Sequence, residues 1–168
     1  MSVRPIERVP APQQANERDT LCGLLDFLRA TVVNKVAGLS EELARNAPVA
    51  PSAITPLGMI KHLTAVERWW FSIDFAARDV PTPWPDGASF DGFELSDDDT
   101  LADAVRDYLA ECAASREVAL AADLDEPARA PGMEFTLRYA LAHLVEETAR
   151  HCGHLDLMRE ALDGQRGQ

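Results

Sequence analysis

The chain has 168 residues, with 28 acidic against 16 basic side chains and a formal charge of −12. No Lys/Arg cluster interrupts that acidity, which argues against nucleic acid and anionic membranes as partners, since both need basic groups to neutralise phosphate. No run approaches the ~18 apolar residues of a membrane span or resembles a signal peptide. Cys22, Cys112 and Cys152 are scattered, without CxxC spacing, as in a reducing compartment. The expectation is a cytoplasmic single domain, large enough to bury a core without a structural metal.

Residues 1–15, rich in Pro, Gln and Ala, are read as a flexible N-terminal arm, and residues 16–168 as one helical domain. A first helix is predicted from Glu17 to Val36, where Leu21, Leu24, Leu25, Leu28, Val32 and Val36 recur at helical spacing before Gly38 closes it. A short helical turn is expected at Ser40–Arg45. The second helix opens on Thr55 as N-cap with Pro56 in the first turn, where a missing N–H costs nothing, and runs to about Arg78. The loop "DVPTPWPDGASFDGFELSDDD" follows, and a loop so long often borders a functional site. A third helix is placed from Ser96 or Asp97 to about Ala122. After the turn "DLDEPARAPGME" a fourth runs from about Glu134 to Leu162, stopped by Asp163-Gly164 as a left-handed cap. No alternating strand pattern appears, so the fold is read as all-α, a four-helix bundle.

The polar residues of the fourth helix are unusual. At about 100° per residue, His143, His154, Glu147 and His151 fall at about 0°, 20°, 40° and 80° on one wheel. The apolar stripe of Leu137, Leu144, Leu155, Met158 and Leu162 spans about 60–120°. Glu147 borders that stripe and His151 lies within it, while His143 and His154 sit toward its edge. On the second helix, His62 centres a buried face that includes Met59, Val66, Trp69, Trp70 and Ile73. A buried imidazole or carboxylate without a partner is costly. One divalent ion shared by His62, Glu147 and His151 would satisfy all three. Glu147 and His151 are adjacent at i and i+4, and His₂Glu with an open fourth position is a catalytic zinc set that nickel, iron or manganese also tolerates. The competing reading treats these groups as hydrogen-bonded core polar residues.

"MIKHLTAVERWWF" and, far downstream, "HLVEETARHCGHLDLMREALDG" together resemble the DinB-like metal-binding superfamily, in particular its mini-circle-protein branch, over about residues 16–164. That resemblance implies an up-down-down-up bundle, often a homodimer, with a divalent metal on three residues. The matching positions here are His62, Glu147 and His151, with glutamate where many members carry a middle histidine. The same substitution occurs in mycothiol-dependent maleylpyruvate isomerase, whose metal is zinc. Isomerase activity itself is not implied, because that enzyme's site also uses a further C-terminal domain. Several members activate a low-molecular-weight thiol as cosubstrate and transfer it to a small-molecule electrophile. The expectation is therefore a metal-dependent S-transferase or hydrolase, with His154 as a catalytic acid/base. The alternative is a non-catalytic, stress-related dimer that binds metal or a small ligand.

Other residues have plainer readings. Cys152, at about 180° on the wheel, is read as a packing residue. Trp69 and Trp70 are read as core aromatics that also suit a pocket wall. Glu67, Arg150 and Arg159 are read chiefly as interhelical ion-pairing groups. Asp97-Asp98-Asp99 lacks the spacing and glycine of a calcium loop and suits a helix N-terminus instead.

Overall fold

The computed structural model describes residues 2–83 and 93–166. The helices are α1 (Glu17–Val36), the single turn α2 (Glu41–Ala44), α3 (Pro56–Glu67), α4 (Leu101–Ala121) and α5 (Leu137–Asp163); α3 continues as a π-helical segment, Arg68–Phe75. Their starts follow local chemistry. Asn16, Ser40, Thr55, Thr100 and Thr136 each accept an orphan backbone N–H of the first turn, which is the N-cap role. At the other end of α5, Gly164 takes φ 77°, a conformation that suits a residue without Cβ.

Contacts between elements fix the topology. Cys152 on α5 faces the Leu28 carbonyl, and Arg159 donates to the Lys35 and Ala37 carbonyls at the end of α1, both at 2.8 Å, so α1 and α5 run parallel. His62 meets His151 and Trp70 meets His143, so α3 and α5 run antiparallel. Lys61 reaches Asp99 and Arg68 reaches Glu111, so α3 and α4 run parallel. The bundle is up-down-down-up, as expected. Among the described residues there is no strand beyond one isolated bridge, Pro127 to Thr136. None of the helices is long and apolar enough to cross a membrane.

Three boundaries differ from the sequence reading. The third helix starts at Leu101, not at Ser96 or Asp97. Asp99 accepts the Ser96 N–H at 2.7 Å and forms a capping turn, while the Thr100 hydroxyl and the Asp103 amide close the true N-terminus. The fourth helix starts at Leu137 because the residues before it are tied back, Ala128 N–H to the Phe135 carbonyl and Leu137 N–H to the Glu126 carbonyl. The second helix is not α-helical to Arg78; its wider turns from Arg68 let the Trp69 indole hydrogen-bond Asp74, five residues on.

The arm lies along α1. Ile6 and Asn34 exchange hydrogen bonds of 2.8 and 2.9 Å, and Gly38 N–H donates to the Val3 carbonyl. Two apolar clusters fill the bundle, one around Ile60, Leu63 and Tyr108, the other around Phe71, Phe75 and Leu141. Between helices α1 and α3 a charged pair is embedded. The Arg29 guanidinium grips Glu67 in a fork of 2.7 and 2.6 Å, with the Glu67 side chain only 1% exposed. Burial works against the guanidinium charge, but Glu67 holds Arg29 firmly protonated. Removing Glu67 leaves the buried Arg29 charge with the more exposed Asp26 at 3.0 Å, whereas removing both partners leaves no buried charge. Glu67→Ala is therefore expected to lower unfolding free energy by about 3–5 kcal/mol in urea titration, and Arg29→Met with Glu67→Leu to recover most of that loss.

Candidate metal centre

His62 and Glu147 come from different helices, and the antiparallel seam brings them together. His62 Nε2 lies 3.5 Å from Glu147 Oε1, and His151 Nε2 lies 2.9 Å from that same oxygen. One ligand atom from each of His62, Glu147 and His151 falls within 4.8 Å of the others. Tetrahedral zinc with bonds of about 2.0–2.1 Å separates its ligand atoms by about 3.4 Å. The donor set fits such an ion with little rearrangement. Both imidazoles are buried, and the Glu147 side chain is 14% exposed.

The electrostatics agree with that use. Burial would raise the Glu147 carboxyl, but hydrogen bonds and charge from His151 and His62 outweigh it and hold the group below the usual carboxylate range. Burial pushes the His151 imidazole down against the opposing pull of Glu147. An ionised carboxylate beside a neutral imidazole is the protonation state a metal requires of its ligands.

The neighbours sort by position. His154 is exposed, and its Nδ1 lies 3.1 Å from Nδ1 of His151, the ring nitrogen not directed at Glu147. His143 does not join the donors; its ring packs 4.4 Å from Trp70 and 6.1 Å from Tyr139. Arg150 binds Glu147 Oε2 at 3.1 Å and Glu146 at 2.6 Å on the open side of α5. Glu67 and Arg159 are structural: one pairs with Arg29, the other caps α1. Cys152 faces α1, where burial pushes its thiol up to about 12, so it is no nucleophile. A cleft of about 280 Å³ between α3 and α4, lined by Lys61, Arg68, Asp99 and Asp103, contains none of the donors. Its cations are already paired with Asp99 and Glu111.

Phe93 was not a sequence candidate, yet it closes one side of the centre. Its ring stacks on His62 at 4.4 Å and 18°. The long loop thus borders the site as expected, although its residues 84–92 lie outside those described. Gly58 permits the approach: a Cβ there would sit 2.5 Å from the Phe93 carbonyl oxygen. A glycine in a helix four residues ahead of a histidine was the available signal, but nothing in the sequence names its partner.

An antiparallel helical seam with a His/Glu/His cluster in an up-down-down-up bundle defines a protein of the DinB-like type. The family profile for mycothiol-S-transferase matches residues 20–164, and the chain belongs to that family. No curated protein matches the chain.

Gly58 supplies a test whose sign is diagnostic. In an ordinary helix interior Gly→Ala stabilises by up to about 1 kcal/mol. Here the clash with the Phe93 backbone should reverse this, and Gly58→Ala is expected to cost about 1–3 kcal/mol. Urea denaturation measures it, and a gain in stability would show that the loop does not pack on α3 as described.

Proposed function

We propose that the protein is a metal-dependent thiol S-transferase. His62, Glu147 and His151 hold a divalent ion, zinc first among the candidates, with nickel, iron or manganese as alternatives. A low-molecular-weight thiol, mycothiol by the family's name, would be the cosubstrate that the ion activates. Support comes chiefly from the 2.9 and 3.5 Å donor spacings around Glu147 Oε1, set beside the family membership. The three free cysteines suit a reducing cytoplasm, and the superfamily resemblance adds a homodimer as the expected assembly.

A bound divalent ion supplies Lewis acidity, which lowers the pKa of a coordinated thiol and leaves it as thiolate at neutral pH. The protein's part is positioning. Glu147 brings a formal negative charge that offsets half of a divalent cation. His62 is held in place by the Phe93 ring. In the transfer the thiolate sulfur forms a bond to an electrophilic carbon, the leaving group departs with its electron pair, and the thiol proton passes to solvent.

His154 fits this scheme as an orienting group. With Nε2 given to a metal, a neutral His151 ring would carry its proton on Nδ1, where Nδ1 of His154, 3.1 Å away, would accept the hydrogen bond. Such outer partners typically contribute about 10–100-fold to metal affinity. His154→Ala is accordingly expected to weaken zinc binding by about that factor in a chelator competition, and His154→Gln, which keeps an acceptor, to recover part of it. Equal affinities in all three proteins would leave His154 as a solvated surface residue.

The 2.9 Å contact equally suits a cluster whose members satisfy one another without an ion, so metal content is the decisive measurement. Protein purified without an affinity tag is expected to carry about one equivalent of zinc, lost in His151→Ala with folding retained. Less than about a tenth of an equivalent, unchanged after loading with Zn²⁺, Ni²⁺ or Mn²⁺, sinks the proposal. Stoichiometric metal without turnover of any thiol–electrophile pair selects the non-catalytic binding reading instead.

A further inference from the structure

The seam that holds the three donors carries a second rung. On the antiparallel α3–α5 pair, His62 meets His151, and eight residues along each chain Trp70 meets His143 at 4.4 Å. Eight residues of helix correspond to about 12 Å, so the aromatic rung lies along the same seam as the donor rung, with Glu147 between them. Trp70 is its hub. It contacts His143, Phe135 at 4.9 Å and Tyr139 at 6.0 Å.

Two features set this cluster apart from the fully buried core. Trp70 belongs to the π-helical segment. In a regular α-helix its azimuth would lie about 80° from His62. The wider turn advances less per residue and swings the indole back toward the face that meets α5. Such π insertions frequently accompany functional sites. In addition, the wall is open: Tyr139 is 56% exposed, His143, Trp70 and Phe135 are half-buried, and the Tyr139 and His143 rings are parallel to within 3°.

We infer that Trp70, Tyr139 and His143, backed by Phe135, form the subsite for the electrophile, and that it takes a planar, conjugated or aromatic molecule. This rests on the S-transferase reading. Flat ring faces stack on such a wall. A polyol would need a dense set of hydrogen-bonding groups, and the side chains of the wall offer few: the His143 nitrogens, the Tyr139 phenol and the Trp70 indole N–H. Four side chains are far short of the roughly 800 Å² per partner of a stable protein interface. Charged pairs also flank the wall, Arg150 with Glu146 and Arg138 with Asp125. A small flat ligand is the occupant that fits, with its reactive carbon directed toward Glu147.

The test uses zinc-loaded full-length protein with mycothiol and two electrophiles, 1-chloro-2,4-dinitrobenzene and iodoacetamide. His143→Ala and Tyr139→Ala should each lower the kcat/KM ratio of the aromatic over the aliphatic electrophile by about three- to tenfold, through KM. His143→Phe should restore it. In parallel, binding of unreactive 2,4-dinitroaniline to metal-free protein is followed by ligand-observed NMR, which needs neither metal nor turnover. If turnover fails but this binding is present, weakens in His143→Ala and returns in His143→Phe, the subsite stands while the catalytic reading falls. If turnover proceeds and neither ratio nor binding responds, or the wild type does not bind dinitroaniline, the subsite is refuted. Dissociation of a dimer by Tyr139→Ala in sedimentation also refutes it, because the wall would then be an interface between copies.

Discussion

The register of the seam between α3 and α5 is the constraint on which the site depends. His62 and His151 face each other only because the helices run antiparallel with that pairing. A slip of one residue turns a side chain by about 100° and would carry the imidazole of His62 out of reach of Glu147. The register is therefore held from outside the site. Arg159 fastens α5 to the carbonyl end of α1. Arg29 on α1 grips Glu67 at the end of α3. The two fastenings share α1, which acts as a ruler against which both walls of the seam are placed.

Two interhelical carboxylates, the buried Glu67 and the partly buried Glu147, are handled differently. Glu67 is met by a buried guanidinium whose fork matches its two oxygens, the third guanidinium nitrogen turning to Asp26, an arrangement that pairs both oxygens directly. Glu147 has imidazoles on Oε1, of which His151 is driven toward neutrality by burial, and, among the described residues, the exposed, shared Arg150 on Oε2. Its charge is less completely answered. The contrast separates the two residues: Glu67 makes structure, while Glu147 sits in the one His/Glu/His group whose ligand atoms lie within 4.8 Å of one another among the described residues.

Much of this was legible in the sequence because it follows from local rules. Helical spacing and capping residues locate α1, α2 and the start of α3, and the helical wheel alone separates Glu147 and His151 from His143 and His154. Where local rules mislead, competing chemistry is visible. Ser96 or Asp97 looks like a helix start, but Thr100 with Asp103 makes the better cap. The π-helical turn was not legible: the run from Arg68 to Phe75 has a good apolar period, and a change of hydrogen-bond spacing leaves no mark in composition. Phe93 was invisible for another reason, since its partner His62 is far away in sequence and the contact rests on a glycine that any helix tolerates.

The cover over His62 follows from topology. Parallel α3 and α4 cannot be joined by a short turn, so the chain must return along the bundle before α4 begins. Its last described stretch passes over α3, where the Lys61 ammonium donates to the Glu94 carbonyl at 3.0 Å and to Asp99 at 2.5 Å. Lys61 adjoins His62 in sequence, so the side chain that ties down the returning loop springs from the same helical turn as the histidine beneath it. Gly58, one turn earlier, removes the Cβ that would obstruct the loop. Two successive turns of α3 therefore supply His62, the tether for its cover and the space the cover occupies. Residues that look unrelated in sequence, a glycine, a lysine and a phenylalanine across a long loop, thus serve one imidazole by fixing its orientation and shielding one of its faces from water.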